Sequence, residues 1–119
     1  MKVTLKTKNE KDDENNICYR FILFIAGEEP KSHITKNVLL SFCKKYFKTS
    51  YQVDIVDVFE DYNVAIENQI IAVPTLIKKE PLPEVTIVGL IENEEKLAKI
   101  LGIDVTINSI MNIMKTVSD

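Results

Sequence analysis

The sequence predicts an α/β domain: a four-stranded mixed sheet flanked by helices, in the order βαβ, α, ββ, α. Three observations carry that reading. Two short apolar runs bracket an amphipathic helix, the composition of a parallel βαβ unit. Two later β-branched runs flank a proline-marked turn, the composition of an antiparallel hairpin. A helix opened by acids and closed by a glycine then follows.

The elements follow in chain order. Tyr19, Phe21, Ile22, Leu23, Phe24 and Ile25 form a short run dense in aromatic and β-branched residues, the pattern of a strand covered on both faces. Ala26 and Gly27 end it, and Gly27 permits a sharp turn. A helix is expected over 32–48, with Ser32 as N-cap and Lys44, Lys45 and Lys48 at the end where the dipole favours cations. Its apolar face reads as Ile34, Val38, Phe42 and Tyr46, flanked by Thr35 and Leu39. Residues 51–58 are the second strand, and 61–69 a short helix. A third strand is expected over 70–77, with Pro74 at its start because proline cannot donate to a ladder. Pro81 and Pro83 turn the chain into a fourth strand at 85–88, followed by Gly89. Asn93, Glu94 and Glu95 open the last core helix, with Leu97, Ile100 and Leu101 inward and Gly102 at its end.

This core occupies residues 18–102. Residues 1–17 read as a mobile charged arm, although 2–7 alternate with the period of a strand. Residues 103–119 read as an extension whose Ile107, Ile110, Met111 and Met114 share a helical face.

Composition narrows the functional classes. A chain of 119 residues, 45% apolar and 28% charged, has room for one domain with a modest core. A net charge of -3 offers no general attraction for nucleic acid or anionic membrane. No apolar run approaches the ~20 residues of a membrane span, and the first residues lack the apolar segment of a secretory leader. A cytoplasmic location is therefore expected. Cys18 and Cys43 stand far apart, with no Cys-x-x-Cys and no second Cys/His pair. That spacing argues against a zinc site or a disulfide framework and favours inert structural thiols. His33 reads as a solvated surface residue, since no serine or cysteine is evidently paired with it. Glu28, Glu29, Glu92, Glu94 and Glu95 sit at helix starts, where acids favour the dipole, so no metal is expected from them. No glycine-rich phosphate loop is present, and no cofactor is expected.

The order βαβ-α-ββ-α resembles the thioredoxin-like fold. In that superfamily a Val-Pro-Thr-type segment with a cis peptide enters the third strand, and Val73-Pro74-Thr75 matches it. The resemblance implies a cis Val73–Pro74 bond. Redox members carry Cys-x-x-Cys at the start of the first helix, but here 27–33 contains no cysteine and hence no thiolate for disulfide exchange. Ala26-Gly27, Pro30 and Ser32, then Val56-Asp57-Val58, then Ile70, Ala72 and Pro74-Thr75-Leu76, then Pro81, Pro83 and Gly89 are similar in order and spacing to the KaiB family of bacterial clock proteins. The similarity spans about residues 19–102. It implies a binding module, because KaiB docks on the ring-shaped ATPase KaiC and a related domain sits on a sensor kinase. It also implies a family that switches between two folds, which requires packings within a few kcal/mol of each other. Val85, Thr86, Ile87 and Val88 favour a regular strand, so this chain is expected to rest in the thioredoxin-like form.

Several positions depart from the clock protein's pattern. Glu60 and Gln69 stand where lysine is usual, Val85 and Thr86 replace basic residues, and Leu90 replaces an aspartate. Charge changes at a contact alter partner choice. The expected structural positions are Gly27, Val73, Pro74, Thr75 and Gly89. The expected partner contacts are Glu28, Glu29, Pro30, Ser32, Asp57 and Glu60, offered to a KaiC-like ATPase or a signalling kinase. Two other readings compete: a glutathione-using or other thiol-related enzyme of the same fold, and a structural domain that self-associates through its C-terminal stripe.

Overall fold

The computed structural model describes residues 2–6 and 18–103. They form β1 (Lys2–Lys6), β2 (Tyr19–Ile25), α1 (Pro30–Tyr46), β3 (Tyr51–Asp57), α2 (Tyr62–Glu67), β4 (Thr75–Glu80), β5 (Val85–Val88) and α3 (Glu94–Leu101). One sheet takes the order β1-β3-β2-β4-β5. β2 and β3 are parallel, paired from Tyr19↔Tyr51 to Ile25↔Asp57. β4 runs antiparallel to both β2 and β5. The four expected strands are thus β2 to β5, with strands at Thr75–Glu80 and Val85–Val88 as the β-branched composition requires.

A fifth strand corrects the expectation of a mobile arm at residues 2–6, where the sequence also alternates with the period of a strand; the rest of 1–17 lies outside the described residues. Lys2–Lys6 pairs antiparallel with the outer side of β3, from Lys2↔Val56 to Lys6↔Gln52. The period-2 alternation carries that signal, while the charged residues that follow mask it. The amphipathic stripe expected over 104–119 lies outside the described residues.

Helices cover the two sheet faces unequally. On one face, Leu39, Phe42 and Cys43 of α1 and Leu97 and Ala98 of α3 pack on Phe21, Leu23, Val53, Ile55, Leu76 and Ile87. On the other, the short α2 sets Ala65 against Phe24, Val56 and Ile77. At the end of the sheet where β2 begins, Phe47 stacks on Tyr19 with ring centroids 3.8 Å apart and meets Phe42 edge-on at 5.6 Å. The Lys45–Glu94 ion pair, 2.9 Å, joins α1 to α3 at the surface.

Several element boundaries and faces shift from expectation. α1 starts at Pro30, and its N-cap is Glu29 in place of Ser32. Its buried stripe is Ser32, Thr35, Leu39, Phe42 and Cys43, so Ile34 is 42% exposed. The reason is polar: the Ser32 and Thr35 hydroxyls accept buried backbone N–H groups from Ala26 and Ile91, at 3.1 and 3.0 Å. A strict apolar periodicity misses such residues. β4 begins at Thr75, and residues 70–73 are loop, because the ladder starts only after Pro74 with Thr75↔Val88. Ile100 is exposed while Ala98 is buried. Asn93 caps α3 through Lys96 N–H, and Gly102 closes it at φ 72°, both as the sequence predicts.

Phe42 makes the sharpest test of this core. Phe42→Ala should destabilise the fold by about 3–5 kcal/mol in denaturant unfolding, as expected for an aromatic ring lost from a packed interior. Ile34→Ala should change stability by less than about 1 kcal/mol.

Candidate functional site

The parallel register brings three loops together. β2 and β3 end opposite each other at Ile25 and Asp57, so the loops leading to α1 and α2 leave the sheet side by side. β4 enters at the same end, since Thr75 pairs with Phe24. Gly89, just past β5, donates its N–H to the Pro74 carbonyl at 2.8 Å. Gly27, Glu28, Glu29, Pro30, Ser32, Asp57, Glu60, Val73, Pro74, Thr75 and Gly89 therefore gather at one end of the sheet. The Val73–Pro74 bond is cis, as are those preceding Pro81 and Pro83.

Asp57 fastens the first two loops. Its Oδ1 accepts from Gly27 N–H at 3.2 Å and from Phe59 N–H at 2.9 Å. Gly27 adopts φ 48°, where a side chain is disfavoured, and a Cβ there would sit 3.5 Å from the Phe59 ring. Glu29 accepts from Lys31 and Ser32 N–H at 3.0 and 2.9 Å. Those bonds hold its carboxyl below the usual carboxylate range. Thr75 is buried and donates to the Ala72 carbonyl at 2.6 Å.

These placements divide the expected contacts. Ser32 is fully buried and shapes the β2–α1 loop from inside, so it presents nothing to a partner. Asp57 and Glu29 spend their carboxylates on backbone N–H groups of their own loops. Glu28, Pro30 and Glu60 are exposed at the surface.

Sequence reasoning missed an apolar ridge beside these acids. Phe59 is 75% exposed, Tyr62 60%, Ile66 63% and Ile71 91%. Tyr62 and Ile66 lie one turn apart on the same side of α2, and Phe59 precedes them in the turn that leaves β3. That spacing was the available signal; Ile71 was hidden by its resemblance to a strand residue. A groove of about 210 Å³ beneath Ile71 is lined by Val58, Ala65, Ile70 and Val73. A second, of about 300 Å³, runs from Ile71 to Val88, itself 57% exposed.

Chemistry at this end is sparse. His33 is exposed. Cys43 is buried in the core, where burial raises its thiol well above the ordinary range, and Cys18 is half-buried at the start of β2. Both thiols are free. Among the described residues no cluster of histidine, cysteine and carboxylates could hold a metal ion, and no helix is long and apolar enough to cross a membrane.

The strand order, the helices on both faces and the cis Val73–Pro74 bond make this the thioredoxin-like class of fold. Yeast mitochondrial thioredoxin 3 superposes with a TM-score of 0.55 at 23% identity, over 71% of this chain and 78% of that one. Thioredoxin-2 of a malaria parasite reaches 0.62 at 13% identity, covering 82% and 95%. Within that class the chain belongs to the KaiB family, whose domain matches residues 22–103. It is 35% identical over 86 residues to the circadian clock oscillator protein KaiB of Thermosynechococcus vestitus, covering 72% of this chain and 78% of the relative. Against the circadian clock protein KaiB3 of Synechocystis it is 36% identical over 93 residues, covering 78% and 87%.

Two measurements test the loop geometry. Asp57→Ala should lower stability by about 1–3 kcal/mol, because two backbone donors lose their acceptor, and Asp57→Asn should recover part of the loss through its amide oxygen. Glu29 makes the acid limb of stability pH-dependent. Its folded pKa lies below the ordinary 4.5, so its contribution is complete above that value and is lost as pH falls through the lowered one. Glu29→Gln should flatten this limb in unfolding curves taken across acid pH.

Proposed function

We propose that this chain is a non-catalytic protein-binding regulator that acts on a KaiC-like RecA-type ATPase or a signalling kinase. The observation that carries the reading is the group of large apolar side chains left exposed between β3 and β4, Phe59, Tyr62, Ile66 and Ile71, in the same part of the chain that follows Asp57 and its link to a cysteine-free loop. Contiguous apolar side chains left in water mark contact surfaces. Phe and Tyr supply large contact areas, and Tyr is enriched among residues that dominate interface energies. The relatives named above are circadian clock proteins, which supports a regulatory role for this chain.

The thiol-enzyme reading finds little support at this site. The loop that holds the nucleophile in redox relatives contains Glu28, Glu29, Pro30 and Lys31, none of which attacks a disulfide. Cys43 lies inside the core with its thiol pushed toward the protonated form, the opposite of what nucleophilic attack needs.

The test mixes the purified chain with the KaiC-like ATPase and the sensor kinase of its own source, each in ATP-loaded and ADP-loaded form. A co-eluting complex with one of them is expected, weakened at least tenfold by Phe59→Ser. No complex with either protein in any nucleotide state would overturn the proposal.

A further inference from the structure

The sheet ends on β5, whose outer main chain has no strand beside it. Gly89 donates its N–H to the Pro74 carbonyl, one step beyond the Thr75↔Val88 pair. Main-chain direction alternates along an antiparallel strand, so Val85 and Ile87 also turn their N–H and C=O groups toward β4. Thr86 and Val88 turn theirs outward, and among the described residues nothing takes them. Ile87 is buried on the face covered by α1 and α3, which puts Thr86 and Val88 on the opposite face, both exposed. Natural sheet edges are blunted by lysine, proline, a bulge or a covering loop. Val85–Val88 carries no charge and no proline, and its pairing with β4 runs without a shift in register. Only its shortness restrains it.

We infer that β5 pairs antiparallel with β5 of a second copy of this chain, about a two-fold axis at Ile87, so that two sheets join into one. In that register each Thr86 exchanges both of its main-chain bonds with Val88 of the second copy, and every outward donor and acceptor of the strand finds a mate. Ile87 meets Ile87 of the second copy at the closely spaced, unbonded position between those pairs. Charge favours a copy as the occupant. Val85–Val88 is neutral, and Glu84 falls opposite Leu90 of the second copy, so no like charges are set against each other. Val88 stands opposite Thr86 of the second copy, a β-branched pair that covers a side chain otherwise 57% exposed. That pair also borders the groove lined by Ile77, Thr86 and Val88. A contact this short buries less surface than a lasting dimer needs, so the copies join at high concentration and part on dilution. The inference does not rest on the reading of Phe59, Tyr62, Ile66 and Ile71 as a contact surface.

The experiment follows the full chain by sedimentation over a dilution series, with amide exchange and NMR on the same samples. The dimer should grow with concentration. The Thr86 and Val88 amides should gain protection in step with it, while Ile87, already bonded to β4, changes little. In a mixture of isotope-labelled and unlabelled chains, an Hα–Hα contact between copies should join Ile87 to Ile87. Val88→Lys, at an exposed position, should weaken the dimer at least tenfold because the change enters twice, and Ile66→Ser should leave it intact. A chain that stays monomeric at every concentration would overturn the inference. So would a dimer in which Thr86 and Val88 still exchange freely, one that survives Val88→Lys, or one lost on Ile66→Ser, since each puts the interface elsewhere. Protection of Thr86 and Val88 that ignores concentration would overturn it by giving the edge to a segment of the same chain. A different residue opposite Ile87 between copies would overturn the register.

Discussion

The parallel, in-register pairing of β2 with β3 decides where everything else at the working end must lie. With Ile25 opposite Asp57, the two strands finish together and hand their loops to the same patch of space. Asp57 can then hold Gly27 and Phe59 with one oxygen, which it could not do if either strand slipped by a residue. A slip of one would also turn Phe21, Leu23, Val53 and Ile55 to the wrong face, so the packed core and the loop geometry are secured by one register.

Hydroxyl groups extend that control through the core. Ser32 and Thr35 face inward from α1 and take up N–H groups of Ala26 and Ile91, and Thr75 ties to Ala72 just before β4. Each joins a helix or strand to the loop nearest it. Buried polar side chains have partners throughout the described residues, as a well-specified core requires. The helix that carries two of these hydroxyls inward turns Ile34 toward solvent as a consequence.

Much of the architecture is legible in the residues themselves. The apolar runs at β2 and β3, the proline-marked hairpin, the Asn93 cap and the Gly102 stop all report local physics, and local physics decided them. What escaped depended on tertiary contacts. Nothing in the neighbourhood of Ser32 says that its hydroxyl meets Ala26, and apolar spacing alone placed Ile34 on the inner face. Ile70 and Ile71 look like strand residues, but the ladder cannot start until Pro74 is passed, so Ile71 stands in water. The ridge was invisible for the same reason: large apolar residues near a short helix read as core until the small footprint of α2 is known.

The strand at Lys2–Lys6 has a bearing on how this molecule can be approached. By occupying the outer flank of β3 from Gln52 to Val56, it uses up the main-chain groups that would otherwise invite a visiting strand. Zipper-like sheet extension on that side has to evict the molecule's own first strand or settle on its far rim. The opposite edge, formed by β5, carries no such guard among the described strands, so a visiting strand would find its main-chain partners there.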